Sequence, residues 1–457
     1  MICIDYEKNI YVDEKPRILS LDTGEVVFFH RKQPRWLKTS MTGEWIINQL
    51  LVKPMTPQEV VTLVTSYYSI PKQLVMASVY QLIRSLILMR FARQEGMNEK
   101  GPDSQTSESG NIDLWISINS DCTLSCPNCL HRKHINRFIP YSRFKQIIDK
   151  VTRIGVSNIY ITGGEPLLHP ELKDMLLYLK EVQAGNVVLV THSPGSYHDQ
   201  LQKTVDEILL YIDPDMYTQY EAHLQGLSDM IIDDPDGHFN IAYVPSHTNI
   251  EKMNLLMQVA DRLGGCNVGL CDAHIAGSHT GMFWGVQSGS SDFNDIFKKV
   301  ITTYKHLVYY HTQSRKKGWT HSSKKEGHIG YLSTFDPVYW LFQEKSGGYC
   351  EAGKRRLYID ENYYVYPCAS LYQREDCCLG NIITSDIQVL YSRALAWREH
   401  WMEQINEICK DCIYFQFCGG GCRAYSTNNR PDFRCELIRR QFQEFFKSVR
   451  RIDIYET

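Results

Sequence analysis
The chain has almost no net charge: 49 Lys and Arg stand against 52 Asp and Glu, a formal −3. That balance excludes the bulk electrostatic attraction by which nucleic-acid binders hold phosphate. Long apolar runs are also missing. None is long enough to cross a bilayer, and the first residues show no basic region followed by an apolar core. A soluble cytoplasmic protein is expected, with neither membrane nor nucleic acid as partner. Apolar residues are not scarce overall: they make up 43% of 457 residues, enough for real cores and, by length, about three domains. Cysteine is abundant, at 15 residues. The cytosol keeps thiols reduced, so this number points to metal ligation over disulfides.

The cysteines are unevenly placed. Three lie at Cys122, Cys126 and Cys129, and nine lie beyond residue 349. Cys3, Cys266 and Cys271 stand apart and read as buried free thiols. Residues 112–119 alternate in the manner of a strand, so the first three cysteines ride the loop that leaves it. Three thiolates at the spacing C-x3-C-x2-C can hold three irons of a four-iron cluster. Full cysteine ligation is the rule for clusters that only store or pass electrons. An iron left without a protein ligand therefore points to a site that binds something. A zinc site completed by His131 or His134 is the alternative.

Beyond this loop, helical periodicity over Phe144, Ile147, Ile148, Val151 and Ile154 stops at Gly155. The strand Asn158–Thr162 runs into Gly163-Gly164-Glu165. A helix over Leu172–Glu181 and a strand over Val187–Val190 follow, ending at Thr191. This βαβα alternation predicts a parallel sheet with helices outside. Upstream, Arg17–Leu21 and Glu25–Phe29 flank a hairpin turn. Three helices follow, the second opened by the capping box Thr56-Pro57-Gln58-Glu59. Residues 94–110 have almost no apolar content and read as a flexible linker spanning roughly 20–25 Å, which would let the first module swing.

The second cysteine field is Cys350, Cys368, the adjacent pair Cys377 and Cys378, then Cys409-x2-Cys412-x5-Cys418-x3-Cys422, and Cys435. Cysteines at such irregular spacing need a metal that takes them as thiolates, iron–sulfur or zinc.

Taken together, these motifs resemble the radical S-adenosylmethionine (SAM) enzymes with a SPASM extension, peptide maturases of the subtilosin type among them. The resemblance implies a partial (β/α)6 TIM-like barrel over 113–330, with its chemistry at the strand C-termini. It implies an N-terminal winged-helix-type module over 1–93 that docks a precursor peptide by its leader. A linker over 94–112 and a cysteine-rich auxiliary-cluster domain over 331–457 complete the expected order. It implies a [4Fe-4S] cluster on Cys122, Cys126 and Cys129 that binds SAM and yields a 5′-deoxyadenosyl radical. Gly163, Gly164, Glu165 and Thr191 then stand at SAM-contact positions, and Asn128 stands where relatives often place an aromatic near the adenine. Asp213, in Tyr211-Ile212-Asp213, stands where relatives have Ser-Leu-Asp; it orients substrate or caps a helix.

By the same resemblance, Cys409, Cys412, Cys418 and Cys435 hold one auxiliary cluster and Cys350, Cys368 and Cys422 the other. That second cluster either keeps an open iron or takes Cys377 or Cys378. Relatives usually show Gly where Tyr363 stands. The implied reaction is oxidative cross-linking of a ribosomally made peptide through a thioether, C–C or C–O link. Flavodoxin or ferredoxin is the implied electron donor. Maturation of a folded protein, of sulfatase or amine dehydrogenase type, is the alternative. A zinc-bearing peptide- or DNA-binding scaffold is the non-enzymatic one.

Overall fold
A computed structural model of the chain describes residues 4–97, 112–123, 137–192, 204–212, 239–243, 252, 267–270, 282–283, 286–287, 350–426, 432 and 435–448. The first unit comprises β1 (Ile10–Tyr11), β2 (Arg17–Ser20), β3 (Glu25–Phe29), β4 (Trp36–Ser40), α1 (Met41–Val52), α2 (Pro57–Tyr68), α3 (Lys72–Leu88) and β5 (Arg93–Gln94). The expected hairpin is present, turned by Gly24 at φ 74°. A third strand, β4, pairs with β3 and makes the sheet antiparallel in the order β2-β3-β4. With only Trp36 and Leu37 as large apolar residues, β4 shows little sequence alternation. Its Lys38 is buried and pairs with Glu25 at 2.8 Å. The capping box opens α2: the Glu59 amide donates to Thr56 Oγ1 at 3.2 Å, and the Thr56 amide to Glu59 Oε2 at 2.8 Å.

The strand period of two sends β3 to two different cores. Val26 and Phe28 face α1–α3, whereas Val27 and Phe29 face the C-terminal part of the chain.

The central sheet holds β6 (Ile112–Ser117), β7 (Val156–Thr162), β8 (Asn186–Thr191), β9 (Glu207–Ile212), β10 (Phe239–Tyr243) and β11 (Asn267–Leu270). These six strands are parallel and lie in chain order, as a partial barrel requires. A small hairpin, β12 (Met282–Phe283) with β13 (Val286–Gln287), lies outside it. Helices α4 (Tyr141–Val151) and α5 (Leu172–Glu181) cover one face, burying Leu114, Ile116, Ile159, Ile161 and Leu189. The other face carries Trp115, Tyr160, Val188, Val190, Leu209, Tyr358 and Tyr372. Burial on both sides suits the continuous apolar runs of β8 and β9, Val187–Val190 and Ile208–Leu210.

The C-terminal part closes on the same sheet. Strand β14 (Arg356–Ile359) joins β6 in parallel, and β15 (Tyr364–Tyr366) and β16 (Gly380–Asn381) continue antiparallel beyond it. Tyr363, in the β14–β15 turn, has φ 71°. This is the left-handed region that favours glycine, and a side chain there costs about 1–2 kcal/mol. Helices α6 (Ile387–Cys409), α7 (Phe415–Cys418) and α8 (Cys435–Ser448) follow.

Phe29 meets Tyr414, Phe417 and Phe446 edge-on, with ring centroids 5.5, 5.9 and 5.3 Å apart. Arg17 donates to the carbonyls of Lys410 and Cys412, and Lys447 pairs with Asp22 at 2.9 Å. The first module is therefore packed on α7 and α8 and does not hang free. The linker residues themselves lie mostly outside the described residues. Phe29→Ala is expected to lower stability by about 3–5 kcal/mol, read as a lower urea midpoint. A loss below about 1 kcal/mol would mean that this ring is not packed in a core.

Candidate functional site
Strand β6 ends at Ser117, and the chain continues through Asn119, Ser120 and Asp121 to Cys122. Strand β7 ends at Thr162 and turns through Gly163-Gly164-Glu165. The two exits lie against each other: the Gly164 amide donates to Asn119 O at 2.8 Å, and the Glu165 amide to Asp121 O at 2.7 Å. Asn119 Nδ2 donates to Glu165 O at 2.9 Å. A Cβ on Gly163 would lie 2.3 Å from Asn119 Oδ1, and one on Gly164 would lie 2.1 Å from Asp121 O. Both glycines are thus required by close backbone packing, before any ligand is considered.

Glu165 is 2% exposed. A carboxylate at that depth needs donors, and it has them. Thr191 Oγ1 lies 2.8 and 2.9 Å from its two oxygens, Leu167 N donates at 3.1 Å and His192 N at 3.2 Å. Glu165 thereby ties the end of β7 to the end of β8. Thr191→Val removes the donor shared by both oxygens. It is expected to cost about 1–3 kcal/mol, seen as a lower thermal midpoint.

His192 extends this cluster to the cysteine loop. Its Nδ1 lies 3.4 Å from Glu165 Oε2, and its Nε2 lies 3.1 Å from Cys122 Sγ. Burial holds the imidazole below its ordinary pKa, against the pull of Glu165. A neutral imidazole has one donor and one acceptor. With Nδ1–H toward the carboxylate, Nε2 is placed to accept the Cys122 proton. A deprotonated cysteine is the form that ligates metal. Sequence reading assigned His192 no role; an imidazole next to Thr191, at the C-terminus of a parallel strand, was the available signal. Cys126, Cys129, Asn128 and Asp213 lie outside the described residues.

Beside the return of the cysteine loop, a cleft of about 710 Å³ opens between Arg137 and Phe138 on one side and Glu361–Tyr364 on the other. Glu361, at its wall, accepts from Tyr372 Oη at 3.0 Å and Ser117 Oγ at 3.3 Å.

All nine cysteines of the second field are described and free, and among the described residues no three His, Cys, Asp or Glu side chains form a group that could hold a metal ion. Burial and then the Cys412 and Cys435 thiols push Cys409 up to about 11. Burial, Asp432 and the Cys435, Cys412 and Cys409 thiols push Cys418 up as well. Cys435 is raised chiefly by burial, with Cys412 and Asp432 adding to it. Arg439 Nη2 points at Cys412 Sγ from 3.8 Å. Cys350 and Cys368 both act on Arg356, and Cys350 and Cys422 both act on Arg423. Cys377 is buried beside Trp397 and Arg374, and burial pushes it up to about 11. Cys378 is exposed and contacts Tyr366.

Residues 116–257 match the Radical SAM superfamily model. The AdoMet-dependent heme synthase of Nitratidesulfovibrio vulgaris is 22% identical over 351 residues, 70% of this chain and 89% of that protein. Among solved structures, Streptococcus suis SuiB bound to S-adenosylmethionine superposes with a TM-score of 0.53 at 13% identity, covering 93% of this chain and 100% of SuiB. SuiB has also been solved with its precursor peptide SuiA, at a TM-score of 0.50 and 12% identity, over 93% of this chain and 98% of that one. Native anSMEcpe with bound AdoMet and Kp18Cys peptide gives 0.54 at 16% identity, over 74% of this chain and 96% of anSMEcpe. The β6–β8 strand ends, with Cys122 and Glu165 between them, lie inside the segment that matches the Radical SAM superfamily model.

Proposed function
We propose that the protein modifies a ribosomally synthesised precursor peptide by oxidative cross-linking, closing a thioether, C–C or C–O bond. The observation that carries this reading is the meeting of both cysteine fields on one sheet. Cys122 leaves β6, and β14, which lies between Cys350 and Cys368, pairs with β6 along its length.

Cys122, Cys126 and Cys129 would hold a [4Fe-4S] cluster, and Gly163, Gly164, Glu165, Thr191 and Asn128 would border the SAM bound to it. When bound, these groups supply a 5′-deoxyadenosyl radical, which takes a hydrogen atom from the substrate. The chain's own contribution is positioning. Glu165 and Thr191 hold two strand ends in register, and His192 fixes Cys122. Trp115 and Tyr160, stacked at 4.3 Å, line the inner face with Tyr358 and Tyr372 and keep water from it. The cleft beside Glu361 gives a substrate segment room near the cysteine loop. Cys409, Cys412, Cys418 and Cys435 would hold one auxiliary cluster. Cys350, Cys368 and Cys422 would hold the other, with Cys377 or Cys378 as the remaining choice of ligand.

In this reading residues 1–93 recognise the leader, 94–112 link, 113–330 form the partial barrel and 331–457 the auxiliary domain. The two edge strands of the first sheet, β2 and β4, offer main-chain groups to which an extended peptide can add. Likeness to SuiB over 93% of the chain leaves too few residues uncovered to omit that module. The second reading is maturation of a folded protein; the likeness to anSMEcpe, solved with a peptide bound, covers 74% of the chain.

The test is anaerobic incubation of the reconstituted full chain with SAM, dithionite and any short peptide found encoded beside its gene. The expected result is deoxyadenosine together with a peptide lighter by two hydrogen atoms per bond formed. Deoxyadenosine with an unchanged peptide would count against the peptide reading.

A further inference from the structure
The return of the cysteine loop and the β14–β15 turn form the two walls of the cleft beside Glu361. Both walls are held in place. The Ser120 amide donates to Arg137 O at 3.0 Å and the Arg137 amide to Ser120 Oγ at 3.2 Å, which pins the loop's return to its exit. The Phe138 ring meets His169 edge-on, with centroids 5.3 Å apart. On the other wall Asp360 is buried and accepts from the Asn362 and Tyr364 amides at 2.9 and 2.8 Å. Asn381 Nδ2 donates to Asn362 O at 3.2 Å. A cleft with pre-formed walls gives up little entropy when it is filled.

The lining contains one acid and one cation, Glu361 and Arg137. Their settings differ. Glu361 is buried, and both its oxygens accept from hydroxyls, Tyr372 Oη and Ser117 Oγ. Arg137 is exposed, and its Nη1 donates across the cleft to Asn362 Oδ1. Among the described residues no carboxylate pairs with it. A neutral amide orients the guanidinium without balancing its charge. The remaining N–H groups of that planar fork suit a carboxylate, which they can hold by two bonds at once. Phe138 and the half-exposed Tyr364 add apolar surface beside it.

We propose that this cleft is a subsite for a carboxylate of the substrate peptide, bound by Arg137, with the neighbouring apolar side chain against Phe138 and Tyr364. This rests on the peptide reading above. An Asp or Glu side chain and the peptide's C-terminus share the required chemistry.

The test is fluorescence polarisation of the full chain with labelled Ser-Glu-Phe-Ser amide, its Gln and Lys counterparts, and the Gln peptide ending in a free carboxylate. A carboxylate peptide is expected to bind about tenfold more tightly than the Gln amide, as a hydrogen bond to a charged group implies. Which of the two carboxylate peptides does so names the source, side chain or C-terminus. Arg137→Gln is expected to abolish the preference and leave the circular dichroism unchanged. The proposal is overturned if neither carboxylate peptide outbinds the Gln amide, if the Lys peptide binds most tightly, or if no probe binds. A preference that survives Arg137→Gln overturns it too, as does displacement of the carboxylate peptide by SAM, which would make the anion SAM's own. A carboxylate preference beside an unmodified peptide in the incubation above upholds this subsite and refutes the cross-linking reading alone.

Discussion

Cys122→Ala is expected to abolish deoxyadenosine formation and to remove about four irons per chain, while leaving the fold intact. Three thiolates are the fewest that can hold the proposed cluster with one iron open to SAM, so the loss of one is not graded. The fold should survive, because Cys122 lies beyond the buried core of β6, which ends at Ser117. The variant also strips His192 of its sulfur partner, leaving the Glu165–Thr191 tie in place. Deoxyadenosine assayed by chromatography, iron by colorimetry and fold by circular dichroism make the check. Activity near that of the parent would remove Cys122 from the site.

A different pattern is expected of Cys418→Ser. Cys418 ends α7, and burial, with Asp432 and the Cys435, Cys412 and Cys409 thiols adding, pushes its thiol up. This variant should lose about four irons and all cross-linked peptide, yet still cleave SAM. The two variants thus separate radical generation from completion of the product. Loss of SAM cleavage in Cys418→Ser, with the first cluster present, would contradict that division of labour.

Much of this was legible in the sequence because it is local. The spacing of Cys122, Cys126 and Cys129, the capping box at Thr56 and the run into Gly163-Gly164-Glu165 are short-range patterns, and strand and helix periods placed β6–β8, α4 and α5. What escaped is long-range. His192 meets Cys122 across 70 residues, and Phe29 packs on Phe446 across more than 400. No periodicity encodes such pairings. The close packing of the glycine pair is long-range too: the chain at 119–121 fills the space that side chains at 163 and 164 would need. Tyr363 shows the reverse. The departure from glycine was visible, but its cost became clear only from φ 71°. This strained tyrosine lies on the wall of the cleft beside Glu361.

The most direct measurement is elemental. Protein purified without oxygen and reconstituted should contain about twelve irons and twelve sulfides per chain, three four-iron clusters, with no stoichiometric zinc. A colourless protein holding zinc, with neither iron nor sulfide, would contradict the account at its root and turn both cysteine fields into a structural metal scaffold.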